Sequence, residues 1–340
     1  MSSTGSTGTG FAAAPDQRRS GGIAAETIAI AVVFALAAAL LLASRLISPA
    51  LGSWSQALTV LTLTSFLIVA AFGQGLVVLV GGLDLSIPAL ITLGGVLTTT
   101  WIGADGGMSA WYLVPAILAL CAAVGVVNGL GVTRLGVPPF IMTMAVAIIV
   151  ASAALGFTSG TPRGAAPPVF VDLMKARALG LPVVVYFVAG FAAAGWLVQS
   201  RSALGRRLYA VGANRDAARI AGVAVDRVVV IAYAISAACA GLAGMMLVGY
   251  ANGATLRMGD SYLLPSIAAV VIGGSSILGG SGSFLGTVGG AILLTTLGTV
   301  IAAIGMEQGW RTVIEGAIIL AALFFLRQEL LERLRRPGRR

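Results

Sequence analysis

The stretch Gly205–Arg227, GRRLYAVGANRDAARIAGVAVDR, lies between two long apolar segments. It carries Arg206, Arg207, Arg215, Arg219 and Arg227, and Arg201 stands just before it. Within it, Asn214–Gly222 reads as a short helix. The Asn214 side-chain oxygen suits an N-cap, accepting from backbone N–H groups that have no partner inside the helix. Asp216 falls in the first turn, where the helix dipole favours a negative charge. Gly222 supplies a left-handed stop. Ala217, Ala218, Ile220 and Ala221 give the helix a small apolar surface. Two readings stand side by side. The plainer is a cytoplasmic loop, basic because basic loops stay inside. The sharper is a docking knob offered to a partner on that side of the membrane.

The segments around the loop set the class. Of 340 residues, 58% are hydrophobic and 10% charged, with a mean hydropathy of +0.99, where a soluble domain carries about 25% charged residues. The chain therefore reads as an all-α, polytopic membrane protein. Its net charge of +9 does not point to nucleic acid, because the charges sit in short loops and at the ends, facing the anionic inner leaflet of the lipid. There is no His, which removes imidazole as base, proton relay or metal ligand. Cys121 and Cys239 fall inside apolar spans and read as buried free thiols, with no metal framework around them. Lys175, the one lysine, follows Met174, so no Gly-Lys-Ser/Thr phosphate loop exists. No cofactor is expected in this chain, and any ATP and Mg belong to another subunit.

Windows of about 20 apolar residues mark membrane-spanning helices. They predict ten spans, near residues 23–42, 57–80, 86–103, 110–130, 139–158, 181–199, 228–250, 262–279, 283–304 and 310–327. Residues 1–22 form a Ser/Thr/Gly-rich cytoplasmic tail, 23–328 the transmembrane domain with its central loop at about 200–227, and 329–340 a basic cytoplasmic tail. With the N-terminus inside, 15 of the 21 basic residues fall on inner segments, so both termini are predicted to be cytoplasmic.

Two polar interruptions carry the chemistry. Gly81-Gly82-Leu83-Asp84-Leu85-Ser86-Ile87-Pro88 breaks an apolar region: the glycines end one helix, and Asp84 or Ser86 caps the next. Broken helices at membrane depth line cavities or lie buried in protein, so Asp84 and Ser86 are candidates for a translocation path. The alternative is a polar cap near the inner surface. Asn128, at an inner turn that runs to Pro138 and Pro139, joins the candidates. Ala268–Gly282, AAVVIGGSSILGGSG, holds five glycines and three serines. Ser275 and Ser276 either line a hydrophilic path or bond their own helix carbonyls. Gly282, Gly286 and Gly290 recur every four residues, a small-residue face for close helix packing. The runs VVLVGGLDLS and VVIGGSSILGG resemble each other, which suggests two related halves.

Four stretches then taken together resemble a known family. They are GGLDLSIPALITLGG (Gly81–Gly95), NGLGVTRLGVPPFIMTM (Asn128–Met144), GRRLYAVGANRDAARIAGV (Gly205–Val223) and AAVVIGGSSILGGSGSFLGTVGGA (Ala268–Ala291). In this order they resemble the permease subunits of bacterial ABC importers for monosaccharides, of the ribose/xylose/galactose type. Pro88 departs from the glycine more usual there. The resemblance implies a permease pair, homodimeric or mixed, in the bacterial inner membrane, with cytoplasmic ABC ATPase subunits and an external sugar-binding protein. It implies that Asn214, Asp216, Ala217, Ala218, Arg219 and Gly222 form a coupling helix set into the ATPase. An importer of branched-chain amino acids would share this loop. A secondary transporter would need charges at mid-membrane for ion coupling, which are nearly absent, and an intramembrane enzyme would need a nucleophile–base pair that is not seen.

Overall fold

The computed structural model of the chain describes residues 17–49, 51–103, 112–307 and parts of 309–320. In order it contains α1 (Gln17–Ala43), α2 (Trp54–Leu79), α3 (Ile87–Leu97), α4 (Leu113–Thr133), α5 (Pro139–Phe157) and α6 (Pro168–Lys175). There follow α7 (Val183–Arg201), α8 (Ala203–Ala213), α9 (Arg215–Ile220), α10 (Val225–Ala251), α11 (Leu263–Ile272) and α12 (Phe284–Ala303). A two-residue hairpin, β1 (Arg177–Ala178) with β2 (Leu181–Pro182), sits between α6 and α7. Among the described residues, α1, α2, α4, α5, α7, α10 and α12 are long and apolar enough to cross a membrane. The chain is an all-α polytopic membrane protein.

Two predicted spans are shorter than expected. The region 86–103 is α3 followed by a π-helical turn, Thr98–Ile102. The region 262–279 holds α11, which stops at Ile272. There Gly274, at φ +87°, closes the helix: its N–H donates to Val271 O (2.9 Å) and the Ser275 N–H to Val270 O (3.1 Å). The apolar window ran on because Ile277 and Leu278 are apolar, although they lie in the loop beyond. The predicted span 310–327 falls in large part outside the described residues, as do the N-terminal tail to residue 16 and the tail 329–340.

The core forms around α2, whose Val69–Ala71 and Leu76–Leu79 are all buried, as expected of a helix that is apolar all round. It packs against α7, α10, α11 and α12. Small residues set the spacing, since lipid gives no hydrophobic drive and close backbone approach supplies the contact. A Cβ on Gly73 of α2 would lie 2.6 Å from Ser236 Cα on α10, and one on Gly129 of α4 would lie 2.6 Å from Val230 Cα. The predicted glycine face is partly corrected: Gly286 and Gly290 meet α11 at Gly273 and Ala269, but Gly282 precedes α12 and packs on Ser275.

Candidate functional site: a buried break and the loop beneath it

Helix α9 forms as its caps dictate. Asn214 Oδ1 accepts from the Ala217 N–H at 2.9 Å. Gly222, at φ +80°, closes the other end, with its N–H on Arg219 O (3.0 Å) and the Val223 N–H on Ala218 O (3.0 Å). Asp216 in the first turn is 91% exposed, and Arg219 bridges it to Asp226 at 3.9 and 3.5 Å. The outer face offers Asp216, Ala217 and Ile220, and Ile220 is 89% exposed. Ala218, on the other face, is buried against the rest of the chain.

Helices α8 and α9 are fixed to two distant loops. Arg215 Nη2 donates to Val80 O at 3.0 Å. The Tyr209 hydroxyl donates to Gly282 O at 2.6 Å. Gly280 N–H donates to Leu79 O at 2.9 Å, so the two similar runs VVLVGGLDLS and VVIGGSSILGG meet in space. Gly212 fits into this junction: any side chain there would collide with the Leu79 carbonyl and the Gly280 amide.

Asp84 follows in the same connection and is fully buried. Its Oδ1 accepts from both the N–H (3.0 Å) and the hydroxyl of Ser86, and its Oδ2 from the Ser236 hydroxyl on α10 (2.7 Å). Neither expected cap forms on α3: Ser86 stands at the N-cap position without a side-chain bond to the helix, and Asp84 holds the Ser86 N–H just before it. Asn128 Nδ2 donates to Ser86 Oγ at 2.9 Å, and the Leu85 N–H to Thr143 Oγ1 on α5 at 3.1 Å. Tyr233 of α10 reaches Leu83 O at 3.4 Å. A buried carboxylate is tolerable only when hydrogen-bonded, and this one gathers α3, α4, α5 and α10 around one break. Its partner Ser236 lies 11 residues into α10, on the order of 16 Å from its start at 1.5 Å per residue, so the cluster meets that helix along its length rather than at its end. The expected position of Asn128 in a turn is corrected: it lies inside α4, and the turn is Arg134–Pro138.

Three buried polar atoms have no protein partner among the described residues: Asn128 Oδ1 and both amide atoms of Gln74 on α2. Ser275 and Ser276 stand apart from this cluster. Ser275 is buried and packs against Gly282, near Gln199 and Thr287, while the Ser276 hydroxyl accepts from the Leu278 N–H at 3.3 Å. Sequence reading missed Ser236, Tyr233, Thr143, Gln74 and Tyr209. Each is an ordinary residue in an apolar helix or basic loop, and each matters only through a partner far along the chain or, for Gln74, through the lack of one.

The chain is similar to several sugar import permeases. It is 32% identical over 281 residues to the ribose import permease protein of Escherichia coli (strain K12), covering 82% of this chain and 87% of that one. It is 29% identical to the D-allose transport system permease protein of the same organism (76% and 79% covered) and 31% identical to its galactose/methyl galactoside import permease protein (78% and 84%). No solved structure matches. Residues 56–323, which take in the buried break, the glycine junction and α9, match one family model, and the chain belongs to that family, the permease component of branched-chain amino acid transport systems.

Proposed function

We propose that this chain is the membrane-spanning subunit of an ATP-driven ABC importer that carries a monosaccharide across the bacterial inner membrane. The family is described by branched-chain amino acids, but the relatives named above are permeases for ribose, allose and galactose, which supports a sugar cargo. In this reading the fold has about ten spans with both termini cytoplasmic. A second permease copy pairs with it, ATPase subunits bind ATP and Mg inside, and a sugar-binding protein delivers cargo outside. The chain is the transport subunit and holds no ATPase site of its own.

One observation carries the mechanism: α8 and α9 are bonded to the glycine loops at the Leu79–Val80 end of the Asp84 break. The ATPase grips α9 through Asp216, Ala217, Ile220 and Arg219, with Asn214 and Gly222 keeping the helix short and stiff. Closure of the ATPases pushes α9. Gly212 and Arg215 pass the push to Leu79–Val80 as a rigid contact, and the connection carrying Asp84 and Ser86 shifts. Asp84, Ser86 and Asn128 then act as the gate of the path, closed here by their own hydrogen bonds. Asn128 Oδ1 and Gln74 are free to take up partners when that network rearranges. Ser275 and Ser276 belong to the junction and act on the path through it. Alternating access by rocking of packed units is the general scheme this serves.

The test is affinity purification from the native membrane in mild detergent. Wild-type protein brings down an ATPase subunit. Ile220→Asp and Asp216→Arg, both on exposed side chains, lose it while the permease keeps its thermal stability. Retention of the ATPase by both variants refutes the coupling role of α9. Absence of any ATPase with the wild type, in detergent that keeps a control importer whole, refutes the importer.

A further inference from the structure

The connection between α10 and α11, residues 252–262, folds back into the bundle. The Gly259 N–H donates to the buried Thr92 Oγ1 at 3.2 Å, and the Gly259 backbone presses on the Pro88 carbonyl. Pro88 and Thr92 belong to the first half of α3, which begins three residues after Asp84. The other end of that helical run, Thr99 and Gly103, meets Gly164 and Ala165 of the loop before α6. The connection itself touches α3 at Pro88, Thr92 and Gly95, through Gly259 and Met258.

Between this connection, α3 and α5 lies a cavity of about 480 Å³. That is within the roughly 300–1,000 Å³ typical of small-molecule sites. Pro88, Thr92, Ile148 and Ser152 line it, together with Arg257 and Asp260. Arg257 Nε donates to Asp260 Oδ2 at 2.6 Å, with the two side chains 85% and 48% exposed. The Nη groups of Arg257 and Oδ1 of Asp260 have no protein partner among the described residues. Arg257 is also held at φ +68°, a conformation uncommon outside glycine that persists where the surroundings enforce it, often at ligand sites.

Charged side chains and irregular backbone do not face hydrocarbon. The wall formed by Arg257 and Asp260 therefore faces water or a polar ligand. The lining is mostly apolar, with Arg257 and Asp260 as its charged edge, and a monosaccharide meets both. Its hydroxyls pair with a guanidinium fork and a carboxylate, and its C–H face lies on Pro88 and Ile148. We propose that this cavity is the outward-facing sugar site of the permease, with Arg257 and Asp260 holding the hydroxyls and the Asp84 gate adjoining its floor. This rests on the monosaccharide reading above.

The test uses the assembled importer, permease with its ATPase and binding protein, in liposomes with radiolabelled ribose, allose and galactose. Arg257→Ala lowers ATP-driven uptake by about tenfold, the scale of a lost charge-assisted hydrogen bond. Asp260→Asn changes the relative rates of the three sugars. Co-purification of the ATPase with each variant shows that the complex has assembled. As a second readout, Ser152→Cys reacts with a membrane-impermeant thiol reagent, and saturating sugar slows the reaction. Cys121 and Cys239 are buried and stay silent. Wild-type rates for all three sugars in both charge variants overturn the site, as does an unreactive Ser152→Cys. A wild-type complex that takes up none of the sugars overturns the monosaccharide reading itself, and the site falls with it.

Discussion

Asp84 is held by a set of donors that can be taken apart one at a time. Asp84→Ala leaves the Ser86 N–H and the hydroxyls of Ser86 and Ser236 without their acceptor in a buried site. Each unsatisfied buried group costs about 1–3 kcal/mol, and hydroxyls that rotate to other carbonyls recover part of it. The expected loss is about 2–4 kcal/mol by the same scale, read as a lower unfolding temperature in detergent. Asp84→Asn keeps one acceptor for Ser86 and offers an N–H to Ser236 Oγ, so its loss is smaller. If the asparagine variant is as unstable as the alanine one, charge rather than hydrogen bonding holds the break. Asp84 itself was legible, because one carboxylate beside two glycines in an apolar run is conspicuous. Its partners were not: Asn128 meets Ser86 across 42 residues and Ser236 meets Asp84 across 152, and nothing local distinguishes a serine that bonds a carboxylate from one that bonds its own helix.

At the scale of elements, the glycines decide both where helices stop and which ones touch. Local chemistry made α9 readable in advance, since an Asn cap, an acidic first turn and a closing glycine act within nine residues. The lengths of α3 and α11 were less readable. Hydropathy counts apolar side chains, and Ile277 and Leu278 are as apolar in a loop as in a helix. The junction of Gly212 with Leu79 and Gly280 was beyond reach of periodicity, although the likeness of the two glycine runs pointed to a relation between them. That junction yields a prediction. Gly212→Ala forces a methyl into the Leu79 carbonyl, so either α8 or the 79–82 loop must move. Overpacking of this kind costs about 1–3 kcal/mol. The variant is expected to keep its ATPase in the purification and to hydrolyse ATP without moving sugar, because α9 remains intact while its rigid link to the break is displaced. Transport at the wild-type ratio of sugar to ATP would show that the link runs elsewhere, with Arg215 and Val80 the next contact to cut.

For the molecule as a whole, burial separates the helices into two classes. In their most apolar windows α2, α10 and α12 are 83%, 67% and 72% buried, while α1, α4, α5 and α7 are 11–28% buried. The first of these leads into the break, and the other two carry Ser236 and the glycine face. The others turn apolar surface outward, where hydropathy alone cannot tell lipid from a second permease. Orientation rests on the count of basic loops, and it has a direct check. The two native thiols are buried, so a single introduced cysteine reports its own surroundings. Ile220 on α9 and Leu179 in the hairpin before α7 are 89% and 97% exposed and stand at opposite ends of α7. With both termini inside, Leu179→Cys reacts with a membrane-impermeant thiol reagent in intact cells, and Ile220→Cys reacts only in inverted vesicles or broken cells. The reverse pattern would put α9 outside, away from ATP. It would end the coupling reading however well the junction is built, because an ATPase docked on α9 must share its side of the membrane.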